Sequence, residues 1–337
     1  MPISPTIDAG PADIERTVRS ALDRVAELFD RQLGSDLPNV GELCRQIGRY
    51  RGKMIRPRLV VVSGLAAAPE LEDVLDEHIT LATVCEIVHM ATLVHDDVLD
   101  DARTRRRGLT VNRLRGNEAA VMLGDYLIAA AYHLCSQSEH REAAVLVGRT
   151  AMVMCEGELL QLHHRDDYSL DVATYEEILA RKTGALIGLA CRLGALASRA
   201  DEATADRLER FGLELGVAFQ IQDDVLDLTS TEGMLGKPTG KDLDKAKLTL
   251  PLIHHLELAG ADGRGDSLDL LERACAGDRS AAEQLLRAMD RTGSIEYARS
   301  EAARRVEHAR TLIEPLVDSP AKRHLLLAAD TLVNRDR

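Results

Sequence analysis

Residues Glu86 to Gly108 read EIVHMATLVHDDVLDDARTRRRG, and the rest of the chain is best read outward from this stretch. An apolar helical run ends in four aspartates, Asp96, Asp97, Asp100 and Asp101, and four arginines follow closely, Arg103, Arg105, Arg106 and Arg107. On a helix, Asp96 and Asp100 stand one turn apart on one face, roughly 6 Å between Cβ atoms. Like charges at that spacing cost a helix about 0.2–0.5 kcal/mol per pair. Here they also extend a segment, TLATVCEIVHMATLV, that reads as core, where uncompensated carboxylates are expensive. A bound cation removes that expense: Mg²⁺ takes one or two carboxylates together with substrate phosphates, and arginines downstream supply bidentate phosphate donors. The plainer alternative is a solvated acidic surface.

Proline placement sets the fold class. All ten prolines lie at or before Pro69 or at or after Pro238, and the stretch between is rich in Ala, Leu, Glu and Arg with apolar residues at helical spacing. No Asn-Gly or Asp-Gly turn separates alternating strands. The expectation is an all-α chain, a single domain over 1–337 with its motifs in about 40–260 and closing helices at about 265–335. Of the 337 residues 45% are hydrophobic and 29% charged, enough for a large core. The net charge of −13 excludes a nucleic-acid partner, which needs a basic face, and suits divalent cations.

The six cysteines, Cys44, Cys85, Cys135, Cys155, Cys191 and Cys275, form no Cys-x-x-Cys pair and read as reduced residues of a cytoplasmic protein. The N-terminus MPISPTIDAGPADIE lacks a basic and an apolar signal region. No uncharged apolar run reaches the length of a spanning helix. A soluble protein without a transmembrane segment is expected.

In chain order, residues 11–34 form an amphipathic packing helix. YRGKMIRPR then sets Gly52, Lys53, Arg56 and Pro57 before an apolar helix, a sensible phosphate grip because helix N-termini attract anions. Residues 72–101 form the long helix of the first motif. On it His89 lies two turns before Asp96 on the same face, while Ala91, Val88 and Cys85 run back from the motif as small or medium side chains. A helix near Val172 carries Lys182 and Thr183 in the middle of an apolar run, which reads as the lining of a cavity. Residues 201–229 repeat the opening theme: Asp223, Asp224 and Asp227 end an apolar helix, with Gln220 one turn before them. Two such helix ends in one chain suggest two carboxylate clusters facing each other across a cavity. Behind the second, GKPTGKDLDKAKLTLP offers Lys237, Lys241, Lys245 and Lys247 as a lid that touches phosphate.

Taken together, GKxxRP, HxxxxxxDDxxD, RRG, KT, QxxDDxxD and GKPxG, in that order over about 40–260, resemble the trans-isoprenyl diphosphate synthases. The resemblance implies an isoprenoid-synthase bundle of long antiparallel helices around a central cavity. It implies that Lys53, Arg56, His89 and Arg107 bind isopentenyl diphosphate. Asp96, Asp97, Asp100, Asp223, Asp224 and Asp227 would hold three Mg²⁺ on the allylic diphosphate, which Arg106, Lys182, Lys237 and Lys247 also grip. Thr183 and Gln220 would face the developing carbocation, with Glu158 and Gln161 as further polar cavity residues. Arg51 and Leu109 depart from the common glycine and proline of the family, and neither change removes a charge.

The resemblance also implies that residues just before the first aspartate set product length. Thr92, Ala91, Val88 and Cys85 are small there, with Tyr132 as a candidate floor. The expected activity is head-to-tail condensation of isopentenyl diphosphate with an allylic diphosphate, farnesyl or geranylgeranyl, into a long-chain all-trans polyprenyl diphosphate. A homodimer and peripheral membrane contact for product release are further expectations. A geranylgeranyl-length synthase and a non-catalytic subunit of a heteromeric synthase are the alternatives; such subunits usually lack one aspartate motif, and this chain keeps both.

Overall fold

The structure, a computed structural model, describes residues 11–71, 73–106, 108–165, 167–229 and 247–333. Among them helices dominate: α1 (Pro11–Gln32), α2 (Pro38–Gly48), α3 (Ile55–Ala67), α4 (Asp76–Leu99), α5 (Val111–Arg115), α6 (Asn117–Cys135), α7 (Arg141–His163) and α8 (Val172–Leu179). They continue as α9 (Ala185–Ala197), α10 (Glu202–Thr229), α11 (Leu250–Leu258), α12 (Gly260–Cys275), α13 (Arg279–Arg291), α14 (Ser294–Ile313) and α15 (Pro320–Val333). Among the described residues the only strands, β1 (Thr104–Arg105) and β2 (Gly108–Leu109), pair antiparallel as a minimal hairpin, with Arg105 opposite Gly108. The fold is all-α, as the proline-free centre implies.

Helix starts follow local chemistry. Asp171 opens α8 by accepting from the Thr174 N–H at 2.7 Å, and Asp278 opens α13 by accepting from the N–H groups of Ser280 and Ala281. Each cap satisfies amides that no helical carbonyl can reach. Pro38 and Pro251 sit in the first turns of α2 and α11, where the missing donor costs nothing.

The chain packs as two compact units. The first comprises residues 1–151, 186–210 and 313–326. At its centre α4 is flanked by α1, α3 and α6. Leu81, Val84, Ile87 and Met90 on one stripe of α4, and Ala82, Cys85, Val88 and Ala91 on the next, are all 3% exposed or less. A helix apolar on every side must be enclosed, and each large side chain so buried contributes about 1.5–3 kcal/mol. By length and composition α4 could cross a bilayer, but 72% of its most apolar window is buried within the protein. Near its start the His78 ring accepts from the Leu75 N–H at 3.2 Å, so its other nitrogen donates to Ser198 Oγ at 2.8 Å; that hydroxyl in turn donates to the Gly64 carbonyl at 2.8 Å. Burial pushes the His78 pKa down to about 4.

The second unit comprises residues 152–185, 211–312 and 327–337. Its core gathers Tyr175 and Leu179 of α8, Val217, Ile221 and Val225 of α10, and Leu252 and Ile253 of α11, with Leu285 and Met289 of α13. At its margin Arg305 pairs with Glu176 at 2.8 Å, Glu214 at 2.9 Å and Glu301 at 3.2 Å. Arg304 also pairs with Glu301 at 2.6 Å, so this partly buried carboxylate cluster draws on two guanidinium groups.

Candidate active site

The first motif sits where α4 ends. Asp100 caps the helix, Asp101 turns the chain at φ 45°, and the β1–β2 hairpin carries the arginines back beside the aspartates. This return brings Arg105 onto Asp97: its Nε donates at 2.9 Å and its Nη2 lies at 2.8 Å from the same carboxylate oxygen, Oδ1. The Asp97 backbone carbonyl accepts from Asn112 Nδ2 at 3.0 Å. Asp97 is 1% exposed, and its other oxygen, Oδ2, is buried with no hydrogen-bond partner. Burial raises its pKa, against the pull of Arg105.

Asp97 was expected to bind metal with its neighbours; here it is held by Arg105, while Asp96 is half-buried and Asp100 exposed. Among the described residues no three or more His, Cys, Asp or Glu side chains converge as a ready-made metal site. Two carboxylates one turn apart nevertheless fit Mg²⁺, a hard cation that takes only oxygen, commonly from one or two carboxylates and otherwise from water and phosphate.

Upstream lies a cationic group. Arg56, in the first turn of α3, has its Nε buried without a partner, and burial lowers its pKa. Lys53 beside it is exposed. The His89 pKa is pushed well below its ordinary value, first by burial and then by the charges of Arg56, Arg105 and Arg106, so the ring is neutral at pH 7. One turn before it, Glu86 is only 2% exposed; burial raises its pKa while Arg56, Arg106 and Arg51 pull it down. Sequence reading gave Glu86 no role, although a carboxylate inside an apolar run on the same face as His89 was a usable signal. Arg105, read only among the arginines as a phosphate donor, is instead held on Asp97, and the hairpin that aims it leaves no periodic trace. Arg107 lies outside the described residues.

Backbone strain collects in these segments. Among the described residues four other than glycine adopt positive φ, and Met54 (48°), Asp101 (45°) and Arg106 (45°) all belong to the motif segments of the first unit. Such conformations cost of order 1–3 kcal/mol each and persist where the surroundings enforce them. Of the residues expected to set product length, Cys85, Val88 and Ala91 are buried and Thr92 is half-buried, its hydroxyl donating to the His89 carbonyl at 2.8 Å. Tyr132 differs: it is 38% exposed on α6, with its hydroxyl lying against the place that a Cβ on Gly148 of α7 would occupy. The described structure does not enclose it as a floor.

The second motif ends α10 in the other unit. Asp223 is exposed, Asp227 half-buried and Asp224 only 2% exposed. Asp224 Oδ2 accepts from the Tyr175 hydroxyl at 2.7 Å, and Oδ1 accepts from Gln220 Nε2 at 3.0 Å and Lys247 Nζ at 3.2 Å. Gln220 in turn accepts from Thr183 Oγ1 at 3.3 Å, and Lys182 pairs with Glu158, which also accepts from Gln161 at 3.3 Å. The expected group thus falls into two networks, Lys182 with Glu158 and Gln161, and Thr183 with Gln220, Asp224 and Lys247, which adjoin along the chain at residues 182 and 183. Tyr175 was missed, since nothing in the sequence ties it to an aspartate in another helix. Lys237, Lys241 and Lys245 lie outside the described residues.

Lys182 and Thr183 ride on a π-helical turn, Ala180–Gly184, inserted between α8 and α9. The Ala185 N–H reaches back to the Ala180 carbonyl, one residue further than in an α-helix. The bulge needs space on α7, and Gly157 provides it: a Cβ there would stand 2.7 Å from Arg181 Cβ and 2.9 Å from the Lys182 nitrogen. Lys182 and Thr183, expected only as polar residues within an apolar helix, thus stand on a wider turn of it.

Comparison with known proteins places this arrangement. Residues 38–289 match the polyprenyl synthetase family. The chain is 33% identical over 324 residues to octaprenyl diphosphate synthase of Haemophilus influenzae, covering 96% of this chain and 97% of that protein. The fold superposes on decaprenyl diphosphate synthase of Rhodobacter capsulatus with TM-score 0.87 and 30% identity, over 97% of this chain and all of that one (100%). A polyprenyl synthase of Caulobacter crescentus, solved with calcium and isoprenyl diphosphate, matches with TM-score 0.87 and 28% identity over 99% of this chain and 100% of its own.

Proposed function

The chain belongs to the polyprenyl synthetase family and is a trans-prenyltransferase, and from that premise we propose that it makes a long-chain all-trans polyprenyl diphosphate. Its substrates in this reading are isopentenyl diphosphate and an allylic diphosphate, farnesyl or geranylgeranyl. The observation that carries it is the shared design of the two helix ends: each buries its second aspartate in fixed bonds and leaves the first and last more exposed.

Asp96 and Asp100, with Asp223 and Asp227, would hold Mg²⁺, up to the three ions the family resemblance implies; the metal neutralises diphosphate charge. Arg106, Lys182, Lys237 and Lys247 grip the same allylic diphosphate and stabilise it as its C–O bond breaks, the electron pair leaving with the diphosphate. Neutral His89, with Lys53, Arg56 and Arg107, orients isopentenyl diphosphate so that its double bond attacks the allylic carbon. The hydroxyl of Thr183 and the amide of Gln220 face the positive charge, and a proton then passes from the isopentenyl unit to the departed diphosphate. The small residues Cys85, Val88, Ala91 and Thr92 leave room for a growing chain.

One family match runs from residue 38 to 289, through segments of both units, which supports treating 1–337 as one prenyltransferase domain. A homodimer fits α7, where Val145, Met152 and Leu159 recur every seven residues and are 70%, 67% and 65% exposed. A cytoplasmic location fits Cys44, Cys85, Cys135, Cys155 and Cys191, which are free thiols; peripheral membrane contact for release of so apolar a product completes the reading. The test is purified protein with Mg²⁺, labelled isopentenyl diphosphate and a choice of allylic primers, product length being read by mass. Products longer than geranylgeranyl support the proposal, and growth that stops at geranylgeranyl overturns the chain-length assignment. Ala91→Phe is expected to shorten the product; unchanged length would refute the tunnel role of residue 91.

A further inference from the structure

Gly52 precedes Lys53 in the loop that leads into α3, and its backbone does not require glycine. The described glycines with left-handed φ are Gly116, Gly260, Gly277 and Gly293; Gly52 is not one of them. The requirement lies in space. A Cβ on residue 52 would overlap Nη1, Nη2 and Cζ of Arg106, so the whole end of that guanidinium rests on the bare Cα of Gly52. Arg106 reaches this position from the hairpin tip with its own backbone held at φ 45°, and buried Glu86 acts electrostatically on it from α4.

We propose that Gly52 is a positioning residue whose missing side chain forms the seat of the Arg106 guanidinium, tying the Lys53/Arg56 loop to the arginine turn beyond the first aspartate motif. The proposal rests on the prenyltransferase reading, in which the loop serves isopentenyl diphosphate and Arg106 serves the allylic diphosphate. One seat then sets the placement of a group from each grip. An added methyl moves the arginine and not the fold, because the atoms it meets are the far end of a flexible side chain. A displaced guanidinium loses the two parallel bonds that make arginine a good diphosphate ligand.

The test is Gly52→Ala, alone and in an Arg106→Lys background. Alone, it is expected to raise KM for the allylic diphosphate about tenfold, to lower kcat less than about threefold, and to leave the thermal unfolding midpoint within about 2 °C of wild type. In the Arg106→Lys background the same substitution is expected to cost less than about twofold, because lysine has no planar fork to collide with the methyl. An unchanged allylic KM in Gly52→Ala, or the same tenfold loss in both backgrounds, overturns the seat. Calorimetric titration with inorganic diphosphate and Mg²⁺ separates this from the functional reading. If wild type turns over no isopentenyl diphosphate, the prenyltransferase reading fails; the seat still predicts diphosphate binding about tenfold weaker in Gly52→Ala than in wild type, and equal binding removes it.

Discussion

The two aspartate-rich helix ends share their letters and differ in how the middle carboxylate is satisfied. At the end of α4, Asp97 takes two contacts on one oxygen from a single guanidinium, while its second oxygen is buried with no hydrogen bond and the Tyr50 hydroxyl acts on its charge from nearby. At the end of α10, Asp224 receives Tyr175 on one oxygen and Gln220 and Lys247 on the other. One site leans on a single guanidinium with the Tyr50 hydroxyl acting from nearby, whereas the other spreads the load over a cation and two neutral donors in direct hydrogen bonds. The same five-residue motif can therefore sit in a brittle and in a redundant setting, and substitutions should tell them apart.

The largest effect should not distinguish the motifs at all. Asp100→Ala and Asp227→Ala are each expected to lower turnover about 10³-fold, since each removes a carboxylate placed to hold charge-neutralising metal. Turnover kept by either variant in a steady-state assay would break the parallel. The middle aspartates should then separate in stability. Asp97→Asn leaves Arg105 without its counter-charge and should cost about 3 kcal/mol. Asp224→Asn keeps neutral donors that an amide oxygen can still satisfy and should cost about 1–2 kcal/mol. Urea unfolding measures both, and equal losses would show that the difference in partners has no energetic weight.

Acid sharpens the contrast, because α4 carries three histidines, His78, His89 and His95, and α10 carries none. His78 has a folded pKa of about 4, below its unfolded value near 6.5, so the unfolded chain takes up the proton first as pH falls. Its contribution to stability is intact above about pH 6.5 and is lost as pH drops toward 4, about 2 kcal/mol of it by pH 5. His78→Asn should remove that part of the pH dependence, and an unchanged slope between pH 7 and 5 would reject the assignment. The smallest effect belongs to the redundant motif: Tyr175→Phe deletes one of three donors to Asp224 and should cost less than Asp224→Asn, about 1 kcal/mol.

What was legible in the sequence follows from the range of the interactions. Both apolar helices ending in aspartate stood out because helix periodicity and motif spacing are local, and α10 begins within a residue of its expected start. Lys182 and Thr183 stood out as polar residues in an apolar run, but the π turn that carries them depends on Gly157 in another helix and could not be read. Nothing in the order of residues says that the second aspartate of each motif is turned inward. Arg105 reaches Asp97 through a hairpin of two-residue strands that lacks the Asn-Gly or Asp-Gly signal of a two-residue turn, and Tyr175 comes from a different helix altogether. The exposure of Tyr132 was unreadable for the same reason, since which face of α6 is outward depends on its neighbours.

The left-handed residues Met54, Asp101 and Arg106 matter to anyone who would engineer this enzyme for heat. Glycine at any of them removes about 1 kcal/mol of conformational penalty, and a screen for thermal tolerance alone would favour those changes. At 106 the gain would arrive with the loss of the guanidinium that the hairpin exists to present. A hardier protein obtained that way would be a poorer catalyst, so a useful selection must score turnover alongside melting temperature.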